Sequence, residues 1–127
     1  MMENQVTSIE QSERLLALGI PAEKASMGWS VIAGDTRLIV KVPGPYVVPA
    51  FTEFDIMELL PVEMLGYSMV IRRDGFGCYE IRYERVELID GEKGIIVLAA
   101  KTGVTLLDAA YMMLESYAES KKQETNK

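Results

Sequence analysis

The chain has 127 residues, of which 49% are hydrophobic and 25% charged, the size and composition of one globular domain. Its formal net charge is −6 and no dense cluster of lysine and arginine offsets it, so nucleic acid is not expected as a partner. The chain has no histidine and one cysteine, Cys78, which excludes Ser-His-Asp and Cys-His nucleophile systems, most zinc sites and an internal disulfide.

Two features of the sequence bear on location. The first eleven residues have neither the basic nor the apolar region of a signal peptide, and the longest apolar run, residues 95–100, is too short to span a bilayer. The single cysteine indicates a reducing compartment. We therefore expect a cytoplasmic protein that has no membrane partner.

The first predicted element is a helix near the N-terminus. Thr7 and Ser8 are both suitable N-caps, and Thr7 with Glu10 has the spacing of a capping box. Pro21 bars this helix from continuing and suits the first turn of a short second helix over residues 22–26. The chain is thus expected to open with a compact helical unit.

A strand, a proline-rich segment and a helix follow. Residues 36–42 are rich in β-branched side chains, which predicts a strand. Three prolines within residues 43–49 predict an extended linker or an edge segment, because proline cannot donate to the ladder of an interior strand. Thr52 is expected to cap a helix over residues 53–60. Its acidic residues are expected on the exposed side: Glu53, Asp55 and Glu58.

Two alternating segments in the middle of the chain predict a β-hairpin. Their apolar residues share one face only if the numbers of opposed residues sum to an even value. A sum of 150 places Ile71 opposite Tyr79 and leaves a loop of three or five residues centred on Gly75. The apolar sets are Tyr67, Met69 and Ile71 in the first strand and Tyr79, Ile81 and Tyr83 in the second.

The pattern changes in the second half of the sheet. The alternation reverses after Tyr83, which predicts a bulge or bend near residues 84–85. After a turn at residues 90–94, the continuous apolar run at residues 95–100 predicts a central strand covered on both faces. A last helix, with a broad apolar stripe, is expected to start near Thr105.

These elements predict an α+β fold, in which an antiparallel β-meander of three to four strands packs against a C-terminal helix and N-terminal helices. The strand at residues 36–42 is the candidate fourth strand. A single domain is expected over residues 1–120, and residues 121–127 are expected to form a polar tail that frays.

The candidate partner-binding residues are aromatic side chains outside the regular elements. Trp29 lies between a predicted helix and a predicted strand, Tyr46 lies in the proline-rich segment, and Phe51 follows that segment. Aromatic residues of this kind are common at protein-binding surfaces. They also fold back as lids over the edge of a core, and the sequence leaves both interpretations open.

No residue pattern indicates a catalytic, cofactor-binding or metal-binding site. Glu80 and Glu84 flank Arg82 on one face of a strand, and such a ladder of alternating charge is typical of a solvated sheet face. The glycines around Phe76 lie in a hairpin loop and do not open a helix, so they do not indicate a phosphate site. No cofactor is implied.

Three stretches carry a resemblance to a known family. Residues 10–21 contain Glu-Gln-Ser-Glu-Arg-Leu and then Gly-Ile-Pro, residues 49–61 run from Pro-Ala-Phe-Thr to Leu-Leu-Pro, and residues 103–109 read Gly-Val-Thr-Leu-Leu-Asp-Ala. In this order and at these separations they resemble small uncharacterised proteins of bacterial phages, prophages and other mobile elements, including those of gut Bacteroides. The resemblance covers the helical parts. It implies a genomic context and supplies no catalytic residues.

We expect a small cytosolic accessory or adaptor protein that binds another protein without catalysing a reaction. The alternative is a small-ligand-binding or carboxylate-dependent enzyme domain, which would need a concave apolar pocket with a desolvated carboxylate facing Arg72, Arg73 or Arg82. A third interpretation is a subunit that self-associates through the proline-flanked edge.

Overall fold

The computed structural model describes residues 5–32, 35–40 and 47–125. These residues contain two antiparallel sheets and three α-helices. The helices are α1 (Ile9–Ala17), α2 (Glu53–Leu59) and α3 (Leu106–Thr125). The first sheet has the order β2-β1-β3, from β1 (Met27–Ile32), β2 (Asp35–Val40) and β3 (Val47–Ala50). The second has the order β4-β5-β6-β7, from β4 (Glu63–Met64), β5 (Tyr67–Arg73), β6 (Tyr79–Ile89) and β7 (Glu92–Gly103). α3 packs on β6 and β7, so the predicted α+β class is confirmed.

The capping box predicted at Thr7 forms one residue later, between Ser8 and Gln11. Thr7 cannot cap the helix because its side chain is fully buried against the segment that precedes α2. Its backbone N–H donates to Phe51 O at 2.9 Å, and its hydroxyl accepts from Phe51 N at 3.0 Å and bonds to Ser12 Oγ at 2.7 Å. These bonds tie the start of α1 to the end of β3.

The strand predicted at residues 36–42 is β2, but it does not belong to the meander. It pairs with β1, a strand that the sequence analysis missed, and the predicted second helix is only a 3₁₀ turn at Ala22–Lys24. β3 lies at the edge of this sheet, as the prolines predict, with Pro49 opposite Gly28. Residues 41–46, which comprise the end of the predicted strand and the rest of the proline-rich segment, lie outside the described residues.

Helix α2 begins after Thr52, which caps it as predicted, but one of its acidic residues is placed differently. Asp55 was expected to be exposed, and it is only 6% exposed. Its carboxylate accepts three hydrogen bonds, from Ser26 N at 2.7 Å, from Ser26 Oγ, and from Thr52 N at 2.9 Å. The carboxylate is buried because it satisfies two backbone N–H groups where β1 and α2 meet.

The register of the β5–β6 hairpin has the predicted parity but is shifted by one residue in each strand. Ile71 lies opposite Ile81 rather than Tyr79, so paired numbers sum to 152 rather than 150. The loop has five residues, 74–78, and the Asp74 carboxylate closes it by accepting two backbone N–H bonds at 2.9 Å. The two apolar sets therefore share the face that packs on the helices.

The core lies between that face and the three helices. Tyr83 is completely buried there, and its hydroxyl donates to Pro61 O at 2.7 Å. Burial, with a smaller contribution from Tyr117, raises the pKa of Tyr83 from 10.0 to about 12. The largest side chains without exposed surface in this cluster are Tyr83, Phe51, Leu15, Ile56, Ile81, Met113 and Leu114.

Helix α3 starts close against the end of β7. A Cβ atom at Gly103 would lie 2.6 Å from Ala109 N, so this position has no room for a side chain. Thr105 Oγ1 accepts from Asp108 N at 3.1 Å, and the helix begins where the sequence predicts its start. The helix continues to Thr125, through most of the segment expected to fray, and there Lys122 Nζ donates to Ala17 O at 3.3 Å.

Candidate functional site

Strands β6 and β7 continue as a two-stranded ribbon beyond the rest of their sheet. The last pair between β5 and β6 is Ser68 with Glu84, whereas β6 and β7 form five more pairs, from Arg85 with Ile96 to Ile89 with Glu92. At about 3.4 Å per residue this ribbon, residues 85–96, extends about 17 Å. We call it the β-arm. Within the described residues, no third strand pairs with it.

The arm presents aliphatic side chains on the sheet face that points away from α3, which we call the outer face. Val86 lies opposite Ile95, and Val97 lies opposite Glu84, so these side chains share that face with Leu88. All four aliphatic side chains are between 43% and 73% exposed. We call them the arm patch: Val86, Leu88, Ile95 and Val97.

This exposure overturns the prediction for residues 95–100. They do not form a central strand covered on both faces, because β7 is the edge of its sheet and Ile95, Val97 and Leu98 are exposed. A continuous apolar run is typical of a doubly covered strand. Here part of the run belongs to the arm, where nothing in the described part of the chain covers the outer face.

A charged ladder lies next to the arm patch on the outer face. Arg72 pairs with Glu80 at 3.3 Å, and Arg82 contacts Glu80 at 3.8 Å and also Glu84. The predicted alternation is therefore present, although the Arg82 and Glu84 side chains are only 16% and 18% exposed. Glu84 Oε2 is buried in its ion pair with Arg82 Nη2, whereas Arg82 Nε is buried and makes no hydrogen bond within the described residues. The ladder carries two positive and two negative charges.

A β-bulge marks the base of the arm. The register shifts between Tyr83, which pairs with Ala99, and Glu84, which pairs with Val97, so Leu98 is the extra residue. The sequence predicts a bulge at this level, and the structure places the extra residue in β7 instead of β6. Leu98 lines a cleft of about 390 Å³ whose walls include Met113 and Tyr117 of α3.

The turn between β4 and β5 forms the opposite side of this cleft. Leu65 lines the cleft, is 81% exposed, and has a φ of 54°, which leucine rarely adopts. Polar side chains from α3 complete the walls, among them Ser116, Ser120 and Glu124. The bulge and the strained turn thus converge on one apolar cleft with a polar rim.

The structure describes two of the three aromatic residues singled out in the sequence, Trp29 and Phe51. Trp29 lies in β1, is half-buried, and donates from Nε1 to Thr7 O at 2.9 Å. Phe51 has no exposed surface, because Thr7 holds its backbone so that the ring packs into the core. The prediction of Phe51 as a surface contact is therefore corrected. Tyr46 lies outside the described residues.

Sequence reasoning missed the arm, although a signal was present. Since β5 begins at Tyr67 and paired numbers sum to 152, no residue of β6 after position 85 has a partner in β5. The aliphatic residues beyond that point, on both sides of the turn at Asp90 and Gly91, are therefore outside the sheet body. Counting the strand lengths, instead of only their apolar pattern, would have found them.

Within residues 5–32, 35–40 and 47–125, no three acidic or thiol side chains gather as a set of metal ligands. In that part of the chain, no helix combines the length and the apolar composition needed to cross a membrane. Comparison with protein families, curated protein sequences and solved structures finds no match to this chain.

Proposed function

We propose that this chain is a small cytoplasmic accessory protein that binds another protein through the β-arm and catalyses no reaction. The observation that carries the proposal is the exposure of the four aliphatic side chains of the arm patch, three of which lie on a ribbon of only two strands. A two-stranded ribbon is marginally stable in water, and contiguous exposed apolar patches mark interaction sites. The predicted origin in a mobile element is compatible with such a role.

The energetics support a partner of moderate affinity. Fully burying a valine, leucine or isoleucine side chain contributes about 1.5–3 kcal/mol, so covering side chains that are about half exposed yields roughly 1 kcal/mol each. The four side chains of the arm patch together therefore contribute about 4 kcal/mol, before the costs of association. A micromolar complex has a binding free energy of about 8 kcal/mol, so this contribution is about half of it.

The placement of Asp55, Glu80 and Glu84 supports a function without catalysis. The buried carboxylate of Asp55 accepts three hydrogen bonds from Ser26 and Thr52, which occupy it structurally. Glu80 and Glu84 are paired with arginines on the outer face and line none of the three clefts described for this chain.

Site-specific photocrosslinking tests the proposal. A photoreactive amino acid replaces Ile95 in the arm or, as a control, Val104, which is 76% exposed outside the arm. Irradiation of cells that express each form should give a discrete protein adduct from position 95 and none from position 104. The adduct should disappear when Val86→Glu is added. Equal labelling from both positions, or no adduct from position 95, would refute the proposal.

A second candidate function is the binding of a small apolar ligand in the cleft between Leu65, Leu98 and α3. The observation that favours it is that a strained turn and a bulge, both frequent at functional sites, meet at one cleft of about 390 Å³. Titration with the apolar dye 1-anilinonaphthalene-8-sulfonate should show saturable binding that Ser116→Trp weakens and Val86→Glu leaves unchanged. Unsaturable binding, or loss of binding in Val86→Glu, would contradict it.

A further inference from the structure

The charges named on the outer face nearly cancel, unlike those of the chain as a whole. The whole chain carries −6, so two copies repel each other over most of their surface. The ladder of Arg72, Glu80, Arg82 and Glu84 has no net charge, and Lys93 is the only charged residue among the outer-face positions of the arm. Two copies can therefore approach through this face with the least repulsion.

We propose that the partner bound at the β-arm is a second copy of this chain, and that two arms pack outer face to outer face in a two-fold symmetric dimer. This proposal rests on the proposed function and names the partner for the same site. In such an interface each patch meets itself, so the patch must complement itself in shape, apolar character and charge. The order of residues along the arm, the Glu84 carboxylate and the exposed area of the arm patch meet that requirement.

When the arms of two copies pack face to face in opposite directions, the order of residues along the arm brings opposite charges close together. Val86 and Ile95 form a cross-strand pair at the centre of the arm patch, with Glu84 two residues toward the base. Lys93 pairs with Leu88, two residues toward the tip. A two-fold axis that lies between the two faces and crosses both strands at the Val86–Ile95 pair reverses tip and base, so Lys93 of one protomer lies over Val97 of the partner subunit and beside the partner's Glu84.

The Glu84 carboxylate lies near this contact. Its buried Oε2 atom is ion-paired with Arg82 Nη2, and because a carboxylate oxygen has more than one lone pair it can accept a further donor. The ammonium group of Lys93 is a donor that can satisfy the Glu84 carboxylate across the two-fold axis, once in each direction.

The exposed area of the arm patch is also large enough for an interface between two copies. The arm patch exposes on the order of 400 Å² of aliphatic surface, within the range of patches that mark interaction sites. Together with the neighbouring ladder, the buried area approaches the roughly 800 Å² per partner that stable interfaces of standard size require.

Sedimentation equilibrium on the purified full chain tests the proposal over micromolar to millimolar concentrations. The wild type should show a monomer of 14.2 kDa in equilibrium with a species of twice that mass. Val86→Glu should weaken the dimer at least tenfold, whereas Val104→Glu, the same change at an exposed position outside the arm, should leave it intact. Lys93→Glu should weaken it severalfold more than the exposed control Lys24→Glu, and Glu84→Lys should partly restore dimerisation in the Lys93→Glu background.

The results separate this proposal from the proposed function. A wild type that stays monomeric at millimolar concentration, or a dimer that Val86→Glu leaves unchanged, overturns the self-association proposal. If the chain is monomeric but position 95 still crosslinks to a different protein, the arm is a binding site for that protein and only the identity of the partner is wrong. If the chain is monomeric and position 95 crosslinks to nothing, both proposals fail. Circular dichroism spectra that match the wild type show that each variant is folded.

Discussion

Replacing Asp55 with alanine is expected to lower the free energy of unfolding by about 3 kcal/mol, although the residue lies in no cleft described for this chain. The carboxylate accepts from Thr52 N as part of a capping box, an interaction that contributes about 1 kcal/mol. It also accepts from Ser26 N and Ser26 Oγ, and these two bonds contribute about 1 kcal/mol each because Ser26 is partly accessible to water.

Asp55→Asn should lose only about 1 kcal/mol. The amide oxygen of asparagine can still accept from the two backbone N–H groups, and its NH₂ group can donate to Ser26 Oγ, so the geometry survives and only the charge is lost. Glu58→Ala, an exposed acidic residue in the same helix, is the control and should change stability by less than about 0.5 kcal/mol.

Urea denaturation followed by the fluorescence of Trp29, the single tryptophan, measures all three variants. The expected order of stability is wild type, then Asp55→Asn, then Asp55→Ala. An Asp55→Ala variant as stable as Glu58→Ala would refute the structural role of this carboxylate. Equal losses for the asparagine and alanine variants would show that the negative charge, instead of the hydrogen bonds, stabilises the junction.

Three further outcomes are expected. Tyr83→Phe removes the bond to Pro61 O and should cost about 1 kcal/mol at neutral pH. The pKa of Tyr83 is about 12 in the folded state and 10.0 in the unfolded state, so the stability that this difference contributes is intact below pH 10 and is lost as the pH rises. In urea denaturation the free energy of unfolding of the wild type should fall by up to about 1.4 kcal/mol per pH unit between pH 10 and pH 12. It should fall less steeply in Tyr83→Phe. Gly103→Ala should lower the free energy of unfolding by about 2–3 kcal/mol because the backbone of α3 blocks the added methyl group. In Gly94→Ala the added methyl group meets only the end of a flexible side chain, so in the same assay this variant should lose far less stability. Leu65→Asn should raise the thermal midpoint by relieving about 1 kcal/mol of backbone strain, and an unchanged or lower midpoint would contradict that strain.

Much of the local structure follows from the sequence because it depends on groups close together in the chain. The cap at Thr52 and the bond between Thr105 and Asp108 each join residues three apart, so spacing alone predicts them. The edge position of β3 follows from its proline, and the even parity of the β5–β6 register follows from the alternation of apolar residues. The α+β class follows from the order of these elements.

Other features depended on contacts between distant parts of the chain. Asp55 is buried because Ser26, 29 residues away, brings its N–H to the carboxylate, and no spacing rule reports such a contact. Phe51 is buried because Thr7 pairs with its backbone across 44 residues. The missed strand β1 and the separate sheet that it forms depend on the same long-range pairing.

By itself, the sequence determined the fold class, the cap at Thr52 and the absence of histidine chemistry, because these depend on residue type and on short spacings. Only the tertiary structure decided what the apolar run at residues 95–100 does. An aliphatic residue has the same hydrophobicity whether its own chain covers it or leaves it exposed, so the run is compatible with either. The length of β5, which ends its pairing at Ser68 and leaves the β-arm uncovered, decides between the two.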